Sequence, residues 1–280
     1  MITKEELSQR LKSQHYIFED ELLTVLYVAL LLGRPLLIEG AAGVGKTEVA
    51  KVLAKALNRE LIRLQCYEGL DESKALYEWN YQKQLLAIQM EKQEQNLSEL
   101  FSEEYLLERP LLRSIRAKEP VVLLIDEIDK SDEEFEAFLL ELLSEMQVSI
   151  PELGTVQAAS QPFVVLTSNN TRPLSEALRR RCAYLYIPYP TLEKEMDILR
   201  AKRPNLEDRL RLSVAEAVQK LRSQEQLIKK PSIAETLDWA AALEALGAKE
   251  LDQGTMDTTM GFVLKNEQDI REVRDNDLLH

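Results

Sequence analysis

The hydrophobic pattern changes period several times along this 280-residue chain, and each change marks an element. Residues 3–32 place Leu7, Leu11, Leu22, Leu23 and Leu26 at helical spacing, which predicts a helix ended by Gly33-Arg34-Pro35. Short apolar runs then alternate with longer helical patterns. Five of them read as strands: Leu36 to Ile38, then 60–66, 121–126, 162–169 and 183–187. Runs apolar on both faces suit a parallel sheet covered by helices on each side. Asp132 to Gln147 is an amphipathic helix with Phe135, Phe138, Leu139, Leu142 and Leu143 inward. Residues 148–150 and 155–158 flank Pro151-Glu152-Leu153-Gly154 and predict a β-hairpin. Residues 71–108, polar and rich in Gln and Glu, are too long for a connection and predict a helical insertion. Beyond Pro188-Tyr189-Pro190 the pattern is helical and charged to about Leu246, with an irregular tail. The expectation is a parallel α/β domain over 1–190 followed by a small helical domain over 191–280.

Chemistry enters where the first strand ends. Gly40-Ala41-Ala42-Gly43-Val44-Gly45-Lys46-Thr47 is a G-x-x-x-x-G-K-[ST] phosphate loop between a strand and a helix that starts near Glu48. Its glycines free successive backbone N–H groups to converge on phosphate oxygens, and the helix N-terminus adds positive potential. Lys46 is expected to bridge the β- and γ-phosphates, and Thr47 to give its hydroxyl to Mg²⁺. The strand at 121–126 ends in Asp126-Glu127, at the carboxyl edge where ligands bind such sheets. Asp126 is expected to hold Mg²⁺, and Glu127 to polarise the water that attacks the γ-phosphate. Helix capping is the competing reading of these acids, with Asp129, Ser131 and Asp132 able to serve the same end.

Charge and cysteine content narrow the class. A net charge of −13 argues against a general nucleic-acid binder, and the hairpin carries no Lys or Arg. Cys66 and Cys182 are too few for a disulfide framework, which points to a reducing cytoplasm. With only His15 and His280, no His/Cys zinc cluster can be drawn. The longest apolar stretch, Leu22 to Leu32, is too short to span a bilayer, and the amino terminus is amphipathic rather than a signal peptide, so no membrane insertion is expected. Both tryptophans, Trp79 and Trp239, and both cysteines read as core residues. No N-K-x-D guanine-reading element appears, so ATP is expected over GTP.

The phosphate loop and the Asp126-Glu127 pair resemble those of AAA+ ATPases. Residues 65–71 (QCYEGLD), 76–81 (LYEWNY) and 147–154 (QVSIPELG) resemble the MoxR family, in the branch associated with carbon-monoxide-dehydrogenase maturation. That resemblance covers nearly the whole chain and weakens after about residue 250. It implies a P-loop AAA+ core with sheet order 5-1-4-3-2, an insertion within the second helix, a hairpin before sensor 1 and a four-helix lid. It also implies that Asn169 is sensor 1, orienting the attacking water, and that Arg181, within Arg179-Arg180-Arg181, is an arginine finger acting in trans. The sensor-2 position carries Lys229-Lys230-Pro231-Ser232 without arginine, leaving Lys230 as a point-charge contact. The partners it implies are a homo-oligomeric ring, a hexamer by family habit, a client protein of molybdenum-hydroxylase type and a protein with a von Willebrand factor A domain.

Overall fold

A computed structural model of the chain describes residues 2–90, 100–151 and 153–276. The chain divides into two compact units: Met1–Arg10, Asp20–Glu39 and Thr47–Tyr186 form the first, and Leu11–Glu19, Gly40–Lys46 and Ile187–His280 the second.

The amino-terminal pattern is two helices rather than the single one expected, α1 (Lys4–Ser13) and α2 (Asp20–Leu32). The break falls where His15 adopts a left-handed φ of 54°, between two apolar stripes that no leucine joins. Gly33, at φ 61°, ends α2 as its N–H and that of Arg34 return to Leu30 and Ala29. β1 (Leu36–Glu39), α3 (Lys46–Leu57) and β2 (Leu61–Gln65) follow.

The insertion is only partly helical. It holds α4 (Glu72–Ala75), β3 (Tyr77–Trp79), α5 (Tyr81–Met90) and β4 (Leu106–Glu108), and β3 pairs antiparallel with β4, Tyr77 opposite Glu108. Aromatic residues explain the strand that helical periodicity hid: Trp79 packs edge-on against Phe101, with centroids 5.4 Å apart. Residues 91–99 of the expected helical insertion lie outside the described residues.

α6 (Pro110–Arg116), β5 (Val122–Asp126), α7 (Glu133–Glu145), the hairpin β6 (Gln147–Ile150) and β7 (Gly154–Gln157), β8 (Phe163–Ser168), α8 (Glu176–Arg181) and β9 (Ala183–Tyr186) complete the first unit. Glu152 of the expected hairpin turn lies outside the described residues. The main sheet is parallel, in the order β2-β5-β8-β1-β9. Numbered among themselves, its strands run 5-1-4-3-2, as the resemblance implied. β5 and β8 are buried along their whole length, and their odd and even positions feed the layers on both faces.

Among the described residues five helices, not four, build the helical part of the second unit: α9 (Leu192–Lys202), α10 (Asp208–Ser223), α11 (Ile233–Ala245), α12 (Gln253–Val263) and α13 (Glu267–Asp275). The expected irregular tail is therefore helical. Asp252 and Asn266 cap its two helices, accepting from Thr255 N at 2.7 Å and Gln268 N at 2.8 Å. Met256, Met260 and Val263 turn a buried stripe into the core around Trp239, whose Nε1 donates to Thr259 Oγ1 at 2.7 Å.

Candidate active site

Strand register brings the polar ends of the sheet level. Gln65 pairs with Asp126 across β2 and β5, and Ile125 with Leu166 across β5 and β8, so Asp126 stands beside Thr167. Asp126 is almost fully buried and every lone pair of its carboxylate faces a donor. Thr47 and Thr167 hydroxyls donate to Oδ1 at 3.0 and 2.6 Å, while Arg63 Nε and Nη2 donate to Oδ2 at 3.0 and 2.6 Å.

Glu127 sits next in the chain with left-handed backbone, φ 57° and ψ 50°, a conformation that costs a non-glycine residue energy and is held by its N–H donating to Thr167 Oγ1 at 2.9 Å. Its carboxylate takes Gln65 Nε2 at 2.9 Å and Lys130 Nζ at 2.5 Å on Oε2, and Asn169 Nδ2 at 3.3 Å on Oε1. The capping alternative fails for both acids. Asp132 caps α7, accepting from Phe135 N at 2.8 Å, and Glu127 makes no side-chain cap bond.

Asp129 has a different task. Buried after β5, it accepts from Asn169 N (3.1 Å), Thr171 N (2.9 Å) and Thr171 Oγ1 (2.6 Å). Burial pushes its carboxyl up, but the Thr171 and Asn169 hydrogen bonds outweigh that and hold it below the ordinary value. Glu136 on α7, also buried, holds the rest of the same loop through Arg172 and through Ser175 N at 2.9 Å. Two carboxylates thus pin the segment that carries Asn169 and leads into α8.

Within the second unit, the phosphate loop shows the backbone its glycines predicted. Gly43 and Gly45 have φ of 78° and 100°, and nothing lies within 4 Å of a Cβ placed on Gly45, which leaves an open face on the loop. A Cβ on Gly43 would collide with Ser232, the N-cap of α11, and Ala234 N donates to Gly43 O at 3.3 Å. Lys46 is buried, its Nζ donating to Gly40 O at 2.8 Å and Ala41 O at 2.7 Å. Val44 is buried, Ala41 half-buried and Ala42 exposed; Glu48 lies in the first turn of α3, where its charge complements the helix dipole. Ser232 meets the loop at Gly43, and Lys230 is half-buried two positions before it.

Thr47, Asp126, Glu127 and Asn169 therefore form one hydrogen-bonded set in the first unit. Arg181 stands elsewhere, at the end of α8, with Nε donating to Ser144 Oγ at 2.8 Å. Arg179 is tied to buried Glu39 at 2.6 Å, and Arg180 pairs on the surface with Glu176. Arg63, Gln65, Thr167, Asp129 and Lys130, which hold Asp126, Glu127 and Asn169, were not picked out as partners of the site from the sequence. Only the alternation of Arg63 and Gln65 with buried Ile62 and Leu64 could have marked a polar face of β2.

A cation fits this set. Thr47 hydroxyl and Asp126 carboxylate are hard oxygen donors of the kind Mg²⁺ takes, completed by substrate phosphates and water. Among the described residues no cluster of three or more His, Cys, Asp or Glu offers an all-protein metal cage. No described helix is long and apolar enough to cross a membrane.

The family model of the AAA domain, dynein-related subfamily, matches residues 35–182. An uncharacterised protein of Staphylococcus saprophyticus is 27% identical over 164 residues, 56% of this chain and 57% of that protein. Another, from Staphylococcus haemolyticus, is 28% identical over 165 residues, with the same shares of 56% and 57%. The chain spans little more than half the length of these curated relatives. Among solved structures, one from Cytophaga hutchinsonii, described provisionally as an ATPase, superposes with a TM-score of 0.52 at 19% identity, covering 96% of this chain and 83% of that one. At that identity the likeness is one of fold.

Proposed function

From the premise that this chain belongs to the AAA domain family, in its dynein-related subfamily, we propose that it hydrolyses ATP to ADP and phosphate. The observation that carries this is the Thr47–Asp126–Glu127–Asn169 set: a buried metal-type carboxylate and a water-activating carboxylate, side by side at the end of the central strand. Loop amides from Gly40 to Thr47 and the Lys46 ammonium bind the phosphates, exchanging the carbonyl partners of Lys46 for γ-phosphate oxygen. Thr47 and Asp126 would hold Mg²⁺, which would supply positive charge against the phosphates. Glu127 takes a proton from the attacking water once it exchanges one of its three donors for it, and Asn169 orients that water. Arg181 acts in trans on a neighbouring subunit's γ-phosphate, and Lys230 supplies lid charge.

The finer reading is a MoxR-type machine: a ring, hexameric by family habit, that remodels or matures a partner protein in the cytoplasm. The partner class is a metalloenzyme of the molybdenum-hydroxylase type, with a von Willebrand factor A domain protein as adaptor. This rests on the resemblance of residues 65–71, 76–81 and 147–154. A nucleic-acid motor is disfavoured by the −13 charge and a hairpin without Lys or Arg.

The test is phosphate release by the wild-type chain and by Glu127→Gln. The variant should bind a fluorescent ATP analogue normally and turn over ~10²–10⁴-fold more slowly, the usual worth of a positioned general base. Lys46→Ala should lose nucleotide binding. Turnover by Glu127→Gln at the parental rate would remove Glu127 from the mechanism. Capture of a metalloenzyme by ATP-loaded Glu127→Gln, and not by Lys46→Ala, tests the client reading.

A further inference from the structure

Arg63 is a half-exposed arginine that ends on a buried carboxylate. The side chain of Arg63 is 48% exposed and that of Asp126 only 3%. Backbone pairing already joins β2 to β5 from Leu61 with Val122 to Gln65 with Asp126. Yet Arg63 places two N–H groups on Oδ2 of Asp126, at 3.0 and 2.6 Å, while Thr47 and Thr167 take Oδ1. An ionised carboxylate has about four acceptor sites, so these four donors fill it.

We propose that Arg63 is a resident counter-ion of Asp126 that competes with Mg²⁺, so that this arginine sets the magnesium concentration at which the site is charged. The proposal rests on the ATP-hydrolase reading above. A guanidinium cannot shed its proton, so it yields to a second cation only by moving. Two cations on one buried carboxylate repel strongly. Asp126 is fixed in its strand and cannot move, whereas Arg63 has solvent on one side and a flexible stem, so the arginine is the mobile partner. Its departure has a second effect. Arg63 Nη2 also donates to Gln65 Oε1 at 2.5 Å, and Gln65 Nε2 holds Glu127, so the arginine ties the metal carboxylate to one donor of the water-activating carboxylate.

The test titrates Mg²⁺ against binding of a fluorescent ATP analogue by the full chain, as wild type, Arg63→Gln and Arg63→Lys. Arg63→Gln should lower the Mg²⁺ midpoint about tenfold, the worth of one charge-assisted contact at a partly exposed pair. Arg63→Lys, which keeps the charge without the fork, should fall between. Thermal melting without nucleotide gives an independent readout: MgCl2 should raise the Tm of Arg63→Gln at concentrations that leave the wild type unchanged. An unchanged or raised midpoint in a folded Arg63→Gln protein overturns the proposal, the raised one meaning that Arg63 holds Asp126 ready for the metal. If the wild type takes up no nucleotide at any Mg²⁺ concentration, the ATP reading fails, and the melting series alone decides the role of Arg63. Should Arg63→Gln not fold, Arg63→Lys decides by the same two measurements.

Discussion

Each unit of the molecule carries an arginine on a buried carboxylate, and the two pairs differ in what surrounds them. In the first unit Arg63 reaches Asp126 from solvent, 48% exposed, with both donors on one oxygen. In the second, Arg222 and Glu195 are 6% and 0% exposed and meet fork to fork, at 2.7 and 2.8 Å. Arg222 also donates to Pro231 O, Pro190 O and Thr236 Oγ1, so its five N–H groups meet five acceptor contacts. Thr236 and Gln219 complete Glu195. The lesson is that burial of the cation, not of the anion, separates a fixed tie from an exchangeable one. Where both ions are dry and every donor is matched, removing either leaves an uncompensated charge. Where the arginine has water behind it, the acid can accept another cation.

The largest effect that would break this contrast is on the second unit's pair. Arg222→Met should destabilise the second unit by about 3–5 kcal/mol, because Glu195 would remain charged and buried. Arg63→Gln should cost about 1 kcal/mol, since water can replace a half-exposed guanidinium. Urea unfolding in a Trp79→Phe background reads Arg222→Met through Trp239, in the second unit's core, and in a Trp239→Phe background it reads Arg63→Gln through Trp79, in the first unit's core. Equal losses from the two substitutions would show that exposure of the arginine does not distinguish the pairs.

A smaller effect concerns Asp129, a buried carboxylate held by hydrogen bonds from the Asn169–Thr171 loop and not by a close arginine fork, which sharpens the comparison. Asp129→Asn replaces part of an acceptor that serves two backbone N–H groups and a hydroxyl, and should cost about 1–3 kcal/mol. The folded carboxyl lies below its ordinary value despite burial, because those hydrogen bonds favour the ionised form. Its contribution is therefore complete above the unfolded carboxyl pKa of ~3.9 and lost as pH falls through the lower folded value. The stability gap between wild type and Asp129→Asn, measured by urea midpoints, should hold from pH 7 to about 5 and narrow below about 4. A gap that stayed constant to pH 3 would mean that the ionised form is not what holds the loop.

Asp129 also shows where sequence reading stops. The phosphate loop, Asp126-Glu127 and the five strands are local patterns, readable because each is encoded within about eight consecutive residues. Asp129 and Asp132 looked alike as caps; only the tertiary fold turns one onto α7 and the other onto a loop 40 residues away. Arg63 and Gln65 matter because parallel register sets Gln65 opposite Asp126, a non-local fact that β2 alone cannot express. The tail failed for a different reason. Gly254, Gly261 and three threonines lower helix propensity over 253–263, and the packing of Met256 and Met260 overrides it.

The smallest expected effect is at Arg180, where both partners are wet. Its pair with Glu176 is four residues along α8, with side chains 74% and 76% exposed. Such pairs give modest Coulomb energy in high dielectric and lose side-chain freedom to do so, so Arg180→Ala should cost less than about 0.5 kcal/mol. Adding NaCl to about 1 M, where the screening length falls to ~3 Å, should erase even that difference. Arg179 offers the internal control one residue away: it meets buried Glu39 at 2.6 Å and lies over the Tyr184 ring, so Arg179→Ala should cost more and respond less to salt. If Arg180→Ala instead cost as much as Arg179→Ala, with the loss surviving in high salt, the ranking of pairs by the dryness of their arginine would fail at its weakest member, and the mobility assigned to Arg63 would lose its physical basis.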